Sequence, residues 1–422
     1  MSTRLYDPAR GAAIMERHGL DGLIAAQNLN VYYASGYWGA LMGSGREHLY
    51  YAVLPRLDRE PPALVMGSFE WRRLMTEGGT WIPNLVGYTA PVDADHASEG
   101  PEGPEVGARP RAPGAHPYQG WPVRGGVRLT ANEREWLAVQ DRLRGTESAS
   151  PVWALLKAVR EAGLEYGTIG VDDPRIGHWL TEAGLPAKFV PAEHIFCEIR
   201  RVKTPAEIEL LREAAQINEA ACLAASGALR DGATWSELED LYMAEMARRG
   251  GRGVYLSGGS GGLPDRRVRR GEPVMIDALG HYRRYHGDFG RSMVVGEPDE
   301  ELLARNRAMQ EGWREVLESV RPGLRYRELA LRAVNAIQRA GFPEFCLAVP
   351  HSVGLQHTDD PAPMTRDGFD YGDPVLEENM VINVDLPYIE IGWGSVHLED
   401  TLLVTADGCE PLTSMKMDLI VR

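Results

Sequence analysis

Four acidic residues and one histidine lie in or beside apolar, strand-like segments of the second half of this chain. Asp277 lies in PVMIDAL, Asp288 in YHGDFGRS, His351 in CLAVPHSVGL, Asp385 in MVINVDLPY and Glu399 in SVHLEDTLLV. An ionised carboxylate is costly to bury among apolar side chains unless it is paired or bound to a metal ion. A fold that buries these segments must therefore supply the acids with partners or with metal.

The residue types and their spacing favour a dinuclear metal centre. Asp277 and Asp288 are eleven residues apart, so a turn between two antiparallel strands can bring them face to face. Four carboxylates neutralise two divalent cations about 3.5–4 Å apart, and some of them must bridge both ions. One imidazole leaves an open position, where a bridging water becomes a nucleophile at neutral pH. Oxygen-rich ligation favours manganese, with iron, cobalt and zinc as alternatives.

The order of predicted elements divides the chain near residue 200. Before that point, apolar strands such as DGLIAAQ, YYAVLP and PALVMG alternate with helical pieces, which indicates an α/β domain. NVYYASGYW, in the same stretch, is predicted as a strand or loop. At roughly 100–200 residues per domain, the 422 residues are enough for two or three domains.

The second half begins with a helix start signal. Thr204, Pro205 and Glu207 form a capping-box pattern with proline at the first helical position. The order helix–helix–strands then occurs twice, once on either side of about residue 300. This repetition is compatible with two structurally similar halves.

Residues 89–130 differ in composition from the rest of the chain. They are dense in proline, glycine and acidic residues, which predicts a long surface loop. The loop is either a tolerated insertion or a flap or subunit contact that carries Trp121.

Charge and composition restrict the partners. Lys and Arg number 45 against 60 Asp and Glu, and this net charge of −15 disfavours nucleic acid, whose phosphates are neutralised by basic side chains. No stretch approaches the ~20 apolar residues of a membrane span, and the N-terminus lacks the apolar core of a signal peptide. The four cysteines show no CxxC spacing and are predicted to be reduced thiols of a cytoplasmic protein.

The order and spacing of the acidic segments resemble the pita-bread metallopeptidase family, which includes Xaa-Pro aminopeptidases, prolidases, methionine aminopeptidases and creatinase. VMIDALGHYRRYHGDFGRS resembles the segment with the first two Asp ligands, and PHSVGLQH the segment with the ligand His. MVINVDLP and VHLEDTLLV resemble the last two ligand segments. RRVKTPAEIELLREAA resembles the helix that opens the catalytic domain of the family.

The resemblance covers the whole chain and implies its domain organisation. Residues 1–200 are expected to form an α/β creatinase-like N-terminal domain, which includes the loop at 89–130. Residues 201–422 are expected to form an α+β pita-bread catalytic domain with pseudo-two-fold halves. Dimeric relatives also imply a homodimer, in which Tyr37 and Trp38 either contact the active site of a neighbouring subunit or pack in the core.

The resemblance also implies roles for the five ligands. Asp277 would chelate one ion, and Asp288 and Glu399 would bridge both. His351 and Asp385 would serve the other ion, and Asp385 would also accept the proton of the metal-bound water. His357 is placed as a second histidine, which contacts the substrate. The implied activity is hydrolysis of an amide C–N bond by attack of a metal-bridging hydroxide, as in an Xaa-Pro dipeptidase or aminopeptidase.

Three residues depart from the family pattern. Asp385 replaces the usual Glu, which shortens the side chain by one methylene. Asp265 stands where peptidases of the family usually have His, and His397 stands where prolidase-like members usually have Arg. Asp265 and His397 are predicted to contact a substrate that is either a short peptide or another small molecule. The alternative reading is therefore a non-peptidase member of the same fold, a lyase or hydrolase of a small osmolyte-like substrate.

Overall fold

A computed structural model describes residues 4–56, 60–89, 121–144, 146–148, 150–258, 267–360 and 373–422. The chain divides into two compact units, Met1–Ile199 and Arg200–Arg422. Asp265 and residues 90–120 of the predicted loop lie outside the described residues. Trp121, at the end of that loop, is 45% exposed.

The first unit contains a six-stranded mixed sheet. Its strands are β1 (Gly22–Ala25), β2 (Tyr51–Pro55), β3 (Ala63–Gly67), β4 (Asn84–Tyr88), β5 (Thr168–Val171) and β6 (Lys188–Pro191). They follow the order β4-β3-β2-β1-β5-β6, in which β2 is antiparallel to both neighbours and the other pairs are parallel.

Seven helices of the described residues accompany this sheet. They are α1 (Pro8–Arg17), α2 (Asn28–Ser35), α3 (Trp71–Thr76), α4 (Ala131–Leu143), α5 (Pro151–Glu161), α6 (Pro174–Glu182) and α7 (Glu193–Arg201). Buried residues of α5 and α6, such as Leu155 and Ile176, pack in one core cluster with the strand residues Ile24 and Val53. The predicted α/β architecture of this part of the chain is confirmed.

Helix α2 corrects one prediction from the sequence. The segment NVYYASGYW was expected to be a strand or loop, but most of it lies in this helix. The helix is capped by Gly36, which has a left-handed φ of 72° and donates its N–H to the carbonyl of Tyr32. Its aromatic and β-branched residues favour strands locally. Burial of Val31 and Tyr33 in the core of the unit outweighs that preference.

The second unit contains an eight-stranded sheet whose two halves have the same strand arrangement. Its strands are β7 (Arg252–Gly258), β8 (Val274–Tyr282), β9 (Tyr285–Val294), β10 (Val349–Ser352), β11 (Val381–Glu390), β12 (Gly394–Val404), β13 (Cys409–Pro411) and β14 (Ile420–Val421). Six of them follow the order β10-β11-β12-β9-β8-β7, while β13 pairs with β12 and β14 with β9. The antiparallel triplets β7–β9 and β10–β12 therefore meet at the junction of β9 and β12.

Two helices precede each triplet. They are α8 (Pro205–Ser226) and α9 (Trp235–Arg248) before β7, and α10 (Glu300–Ser319) and α11 (Tyr326–Arg339) before β10. This order confirms the predicted repetition of helix–helix–strands. The predicted capping box is also confirmed, because Thr204 accepts from Glu207 N–H and the Glu207 carboxylate accepts from Thr204 N–H.

The central strands of this sheet present one face to the helices and the other face away from them. Ile276 and Phe289 pack with residues of α8 and α9 in one cluster, and Ile382 and Leu398 pack with residues of α10 and α11 in another. Because strand side chains alternate between faces, the neighbouring residues in sequence project to the opposite face of the sheet. No helix of the described residues is long and apolar enough to cross a membrane.

Asp172 anchors the chain that leaves β1 in the first unit. Its carboxylate accepts from Ala26 N–H at 2.8 Å, Gln27 N–H at 3.1 Å and Asn30 Nδ2 at 2.9 Å. The side chain is buried, and this burial raises the pKa of Asp172 to about 7 against the opposing effect of these hydrogen bonds.

We predict that Asp172→Ala lowers the free energy of unfolding by about 2–4 kcal/mol, because it leaves buried N–H donors without an acceptor. Urea titration followed by circular dichroism measures the change. The control is Asp141→Ala, which removes a 68% exposed carboxylate paired with Arg144 on the surface of α4. Equal stability of the two variants would contradict the role assigned to Asp172.

Candidate metal centre

One transverse row of the second sheet carries three of the predicted ligands. Asp385 lies opposite Glu399, Glu399 lies opposite Gly290, and Gly290 lies opposite Asp277. Directly opposed residues project to the same face of a sheet. Asp288 precedes Gly290 by two residues on β9 and therefore shares this face. Strand register alone thus brings together four acids from four strands.

His351 reaches the same face from β10. It lies opposite Asn383 on β11, two residues from Asp385. Its Nε2 atom is 3.2 Å from Oδ2 of Asp385 and 3.7 Å from Oδ2 of Asp288. The shorter side chain at position 385 therefore still reaches the imidazole.

The five predicted ligands form two groups that share Glu399. One ligand atom each of Asp277, Asp288 and Glu399 lies within 4.8 Å of the others, and the same holds for His351, Asp385 and Glu399. A carboxylate common to two groups suits a pair of bridged ions.

Unpartnered oxygens provide an independent test of whether the residues fit metal. Among the described residues, Oδ1 of Asp288 and Oε2 of Glu399 are buried without a hydrogen-bond partner. Such atoms are costly in an ionised carboxylate unless a cation compensates them. The residues of this cluster therefore fit divalent cations.

Burial and mutual repulsion disfavour charge on two of the acids. Burial raises the pKa of Glu399 well above its usual value, and the charges of Asp288 and Asp385 raise it further. Burial likewise raises the pKa of Asp277 to about 6, with a smaller increase from Asp288. Added positive charge at this face would relieve the repulsion.

Imidazoles have the opposite effect on the other two acids. Although burial is the largest influence on each and raises the pKa, the rings of His351 and His397 hold the pKa of Asp385 below its usual range. The rings of His357 and His351 do the same for the pKa of Asp288. In return, Asp385 and Asp288 overcome the effect of burial on His351 and raise its pKa to about 9.

Two further histidines predicted from the sequence lie at this cluster. His357 Nε2 is 2.9 Å from Oδ2 of Asp288, and its side chain is 42% exposed. His397 is buried, with Nε2 at 3.2 Å from Oε2 of Glu399 and 3.6 Å from Oδ1 of Asp385. The structure places both rings beside the acids, and their contact with a substrate stays a prediction.

The other predicted substrate-contacting residues are not part of this cluster as described. Tyr37 is buried in the first unit, and its hydroxyl donates a hydrogen bond to Glu70. Trp38 is half-buried and makes an edge contact with Tyr32. These contacts give Tyr37 and Trp38 local packing roles, while their approach to a partner's active site stays a prediction. Asp265 lies outside the described residues.

Sequence reasoning missed Asn383, which orients one of the acids. Its buried side-chain amide donates a hydrogen bond to Oε1 of Glu399, and its carbonyl oxygen accepts from Val384 N–H. Glu399 therefore keeps Oε2 for another partner. The available signal was the two-residue spacing from Asp385, which puts Asn383 on the same face of β11.

A buried ion pair supports the row from the opposite face. Arg291 donates to the carbonyls of Glu399 and Gly290, at 2.7 and 2.8 Å, and its Nη2 atom lies 2.8 Å from Oδ2 of Asp400. Arg291 and Asp400 directly follow Gly290 and Glu399, so their side chains alternate to the face away from the cluster. The pair thus fixes the backbone at the junction of β9 and β12.

The fold and the cluster define a metal-dependent hydrolase of pita-bread architecture. Residues 209–406, which include all five predicted ligands, match metallopeptidase family M24. This match supports, for the second unit, the family resemblance that the sequence predicted.

Known proteins resemble the chain along most of its length. It is 27% identical to an Xaa-Pro dipeptidase of Pyrococcus horikoshii over 326 residues, 71% of this chain and 89% of the relative. It is 24% identical to the ectoine hydrolase of Halomonas elongata over 260 residues, 56% of this chain and 64% of the relative. The solved structure of an Xaa-Pro dipeptidase from Bacillus anthracis matches with a TM-score of 0.70 and 19% identity, covering 98% of this chain and 99% of that one. The likeness extends through both units and confirms the predicted fold class.

Gly290 was also missed, and it leaves the space that the cluster needs. A Cβ atom at this position would lie 2.7 Å from the His397 ring and 2.8 Å from Cβ of Glu399. We predict that Gly290→Ala displaces these side chains and weakens Mn²⁺ binding at least about tenfold, the loss typical of disturbed ligand support.

Calorimetric titration with Mn²⁺ measures that loss. Gly408→Ala is the control, because a Cβ there meets only the Thr405 hydroxyl at 3.9 Å. Unchanged Mn²⁺ affinity in a folded Gly290→Ala variant would show that the spacing of the row is not critical.

Proposed function

We propose that this protein is a dinuclear metal-dependent hydrolase that cleaves Xaa-Pro dipeptides and similar short peptides. The observation that carries the proposal is the pair of ligand groups that share Glu399 on one face of the sheet. The matched family and the Xaa-Pro dipeptidase of P. horikoshii support the peptide as substrate.

We assign Asp277, Asp288, His351, Asp385 and Glu399 as the residues that hold two divalent cations. When bound, such a pair supplies Lewis-acid polarisation of the scissile carbonyl and a nucleophilic water at neutral pH. Asp288 and Glu399 would be shared between the ions in this assignment, because Glu399 belongs to both ligand groups and each acid has a buried oxygen without a hydrogen bond. Manganese is the metal that the five-ligand set favours.

Asp385 is the acid best placed to accept a proton from the attacking water. Its side chain is 22% exposed, whereas the side chains of Asp288 and Glu399 are each 1% exposed. Its Oδ2 lies 3.2 Å from Nε2 of His351, whereas its Oδ1 lies 3.6 Å from Nε2 of His397. We therefore assign Oδ1, the less closely contacted oxygen, as the atom that takes the proton. The half-exposed ring of His357 borders the open side of the cluster.

The remaining assignments complete the proposal. Residues 1–200 would form the creatinase-like domain and residues 201–422 the catalytic domain, in a homodimer whose partner contacts involve Tyr37 or Trp38. His397 and Asp265 would shape the substrate site. We also propose a cytoplasmic location, which the lack of CxxC spacing among the four cysteines supports.

A second candidate function is cleavage of a small, non-peptide molecule, either by hydrolysis or by a lyase reaction. His397 supports it, because this ring is buried against Asp385 and Glu399 where prolidase-like relatives are expected to carry Arg. The relative named ectoine hydrolase supports the same reading.

A cleavage panel on Mn²⁺-loaded protein separates the two candidates. The panel contains Ala-Pro, Leu-Pro, Gly-Pro, a longer Xaa-Pro peptide, proline-free dipeptides and ectoine, with metal content measured in parallel. We predict turnover of the Xaa-Pro dipeptides and a loss of kcat/KM of more than about 100-fold in Glu399→Gln, which removes a charge from the ligand set.

Glu410→Gln is the matched control for that panel. It makes the same change at a half-exposed residue of β13 that pairs with Arg212. Absence of peptide turnover in metal-loaded wild-type protein would contradict the first candidate, and turnover of ectoine would favour the second.

A further inference from the structure

We propose that His357 is a sixth ligand of the metal centre and forms a two-imidazole, one-carboxylate site with His351 and Asp288. The inference rests on the proposed function, because both use the same centre. It replaces the substrate contact expected for His357 with a direct bond to the ion.

The spacing of the three side chains fits a single ion. Nε2 of His357 lies 2.9 Å from Oδ2 of Asp288, Nε2 of His351 lies 3.7 Å from the same oxygen, and a ligand atom of each residue lies within 4.8 Å of the others. Two ligand atoms bound at about 2.1 Å are roughly 3.0 Å apart at a right angle and roughly 3.4 Å apart at a tetrahedral angle. The observed distance of 2.9 Å is slightly shorter than the first value, and the observed distance of 3.7 Å is slightly longer than the second.

Both rings are oriented by a contact at their other nitrogen. Nδ1 of His351 lies 3.3 Å from the carbonyl oxygen of Ser352, and Nδ1 of His357 lies 3.4 Å from Oγ1 of Thr358. A ring that donates its Nδ1–H to such an oxygen keeps the lone pair of Nε2 for a metal. Each ring therefore presents Nε2 to Asp288.

Buried polar atoms without hydrogen bonds lie at this position. Asp288 is fully buried, and its Oδ1 atom has no hydrogen-bond partner among the described residues. Nε2 of His351 is also buried, and its contact with Oδ2 of Asp385 at 3.2 Å lacks the geometry of a hydrogen bond. One ligand atom each of Asp288, His351 and His357 lies within 4.8 Å of the others, and a divalent cation bound by the three residues would compensate the buried charge.

The turn that carries His357 is held firmly at its end. Asp359 is buried and forms ion pairs with Arg200 at 2.7 Å and with Lys203 at 3.1 Å. Its carboxylate fills the space beside Gly354, where a Cβ would lie 2.1 Å from Oδ2 of Asp359. The ring is thus positioned by buried contacts although half of its own surface is exposed.

A second imidazole changes the metal preference of the centre. Imidazole ligands suit zinc, copper, iron and nickel, whereas carboxylate and water ligands suit manganese. In the general order of affinities for divalent metals, Co²⁺ also binds a given site more tightly than Mn²⁺. We therefore infer that His357 raises the affinity for Co²⁺ more than the affinity for Mn²⁺.

Two substitutions at position 357 separate a ligand from a hydrogen-bond donor. His357→Gln keeps an N–H group that can donate to Asp288 but removes the imidazole lone pair, and His357→Ala removes both. Calorimetry of the full-length protein measures Co²⁺ and Mn²⁺ affinities, and pulsed EPR of the Mn²⁺-loaded protein counts the coordinated imidazole nitrogens. His281→Ala is the control, since it removes another imidazole of the β8–β9 hairpin that is not among the donor groups.

We expect both variants to lose about tenfold or more in Co²⁺ affinity, less in Mn²⁺ affinity, and one coordinated nitrogen, while the control stays at the wild-type values. Wild-type Co²⁺ affinity in His357→Gln, or an unchanged nitrogen count in both variants, would overturn the proposal. These readouts do not depend on peptide cleavage, so a failed cleavage panel would remove the proposed substrate and leave the ligand assignment standing.

Discussion

Repulsion among four carboxylates on one face of a sheet is the constraint on which the second unit depends. Asp277, Asp288, Asp385 and Glu399 come from four adjacent strands, and the register aims them at one small volume. Apolar packing of the helices on the other face holds the strands in that register. The hydrophobic core thus stabilises an arrangement that repulsion among the carboxylates opposes. Divalent cations bound by the carboxylates would replace this repulsion with attraction.

The junction of β9 and β12 shows how the backbone accommodates this face. Glu399 and Gly290 form the one register pair between these strands in the described part of the chain. On either side of it, side-chain hydroxyls replace ladder bonds: Ser292 bonds to the backbone of His397, and Thr401 donates to the carbonyl of Asp288. The two halves of the pseudo-symmetric unit therefore meet where the acids are densest.

Local sequence signals predicted much of this arrangement. Acids within apolar strand segments indicated a shared site because a buried charge needs a partner wherever it occurs. The capping box before Pro205 and the repeated helix–helix–strands order are also local patterns. Asn383, Gly290 and the approach of His357 to Asp288 could not be predicted in the same way, because each depends on which residues oppose one another across strands distant in the sequence.

The number of metal ions held by the chain tests the central claim most directly. Equilibrium dialysis of metal-free protein against Mn²⁺, followed by elemental analysis, gives the ions bound per chain for wild type and for Glu399→Ala. The shared position of Glu399 predicts two ions per chain in the wild type and weakened binding of both in the variant. One ion per chain in the wild type, or two equally tight ions in the variant, would contradict a dinuclear centre bridged by Glu399.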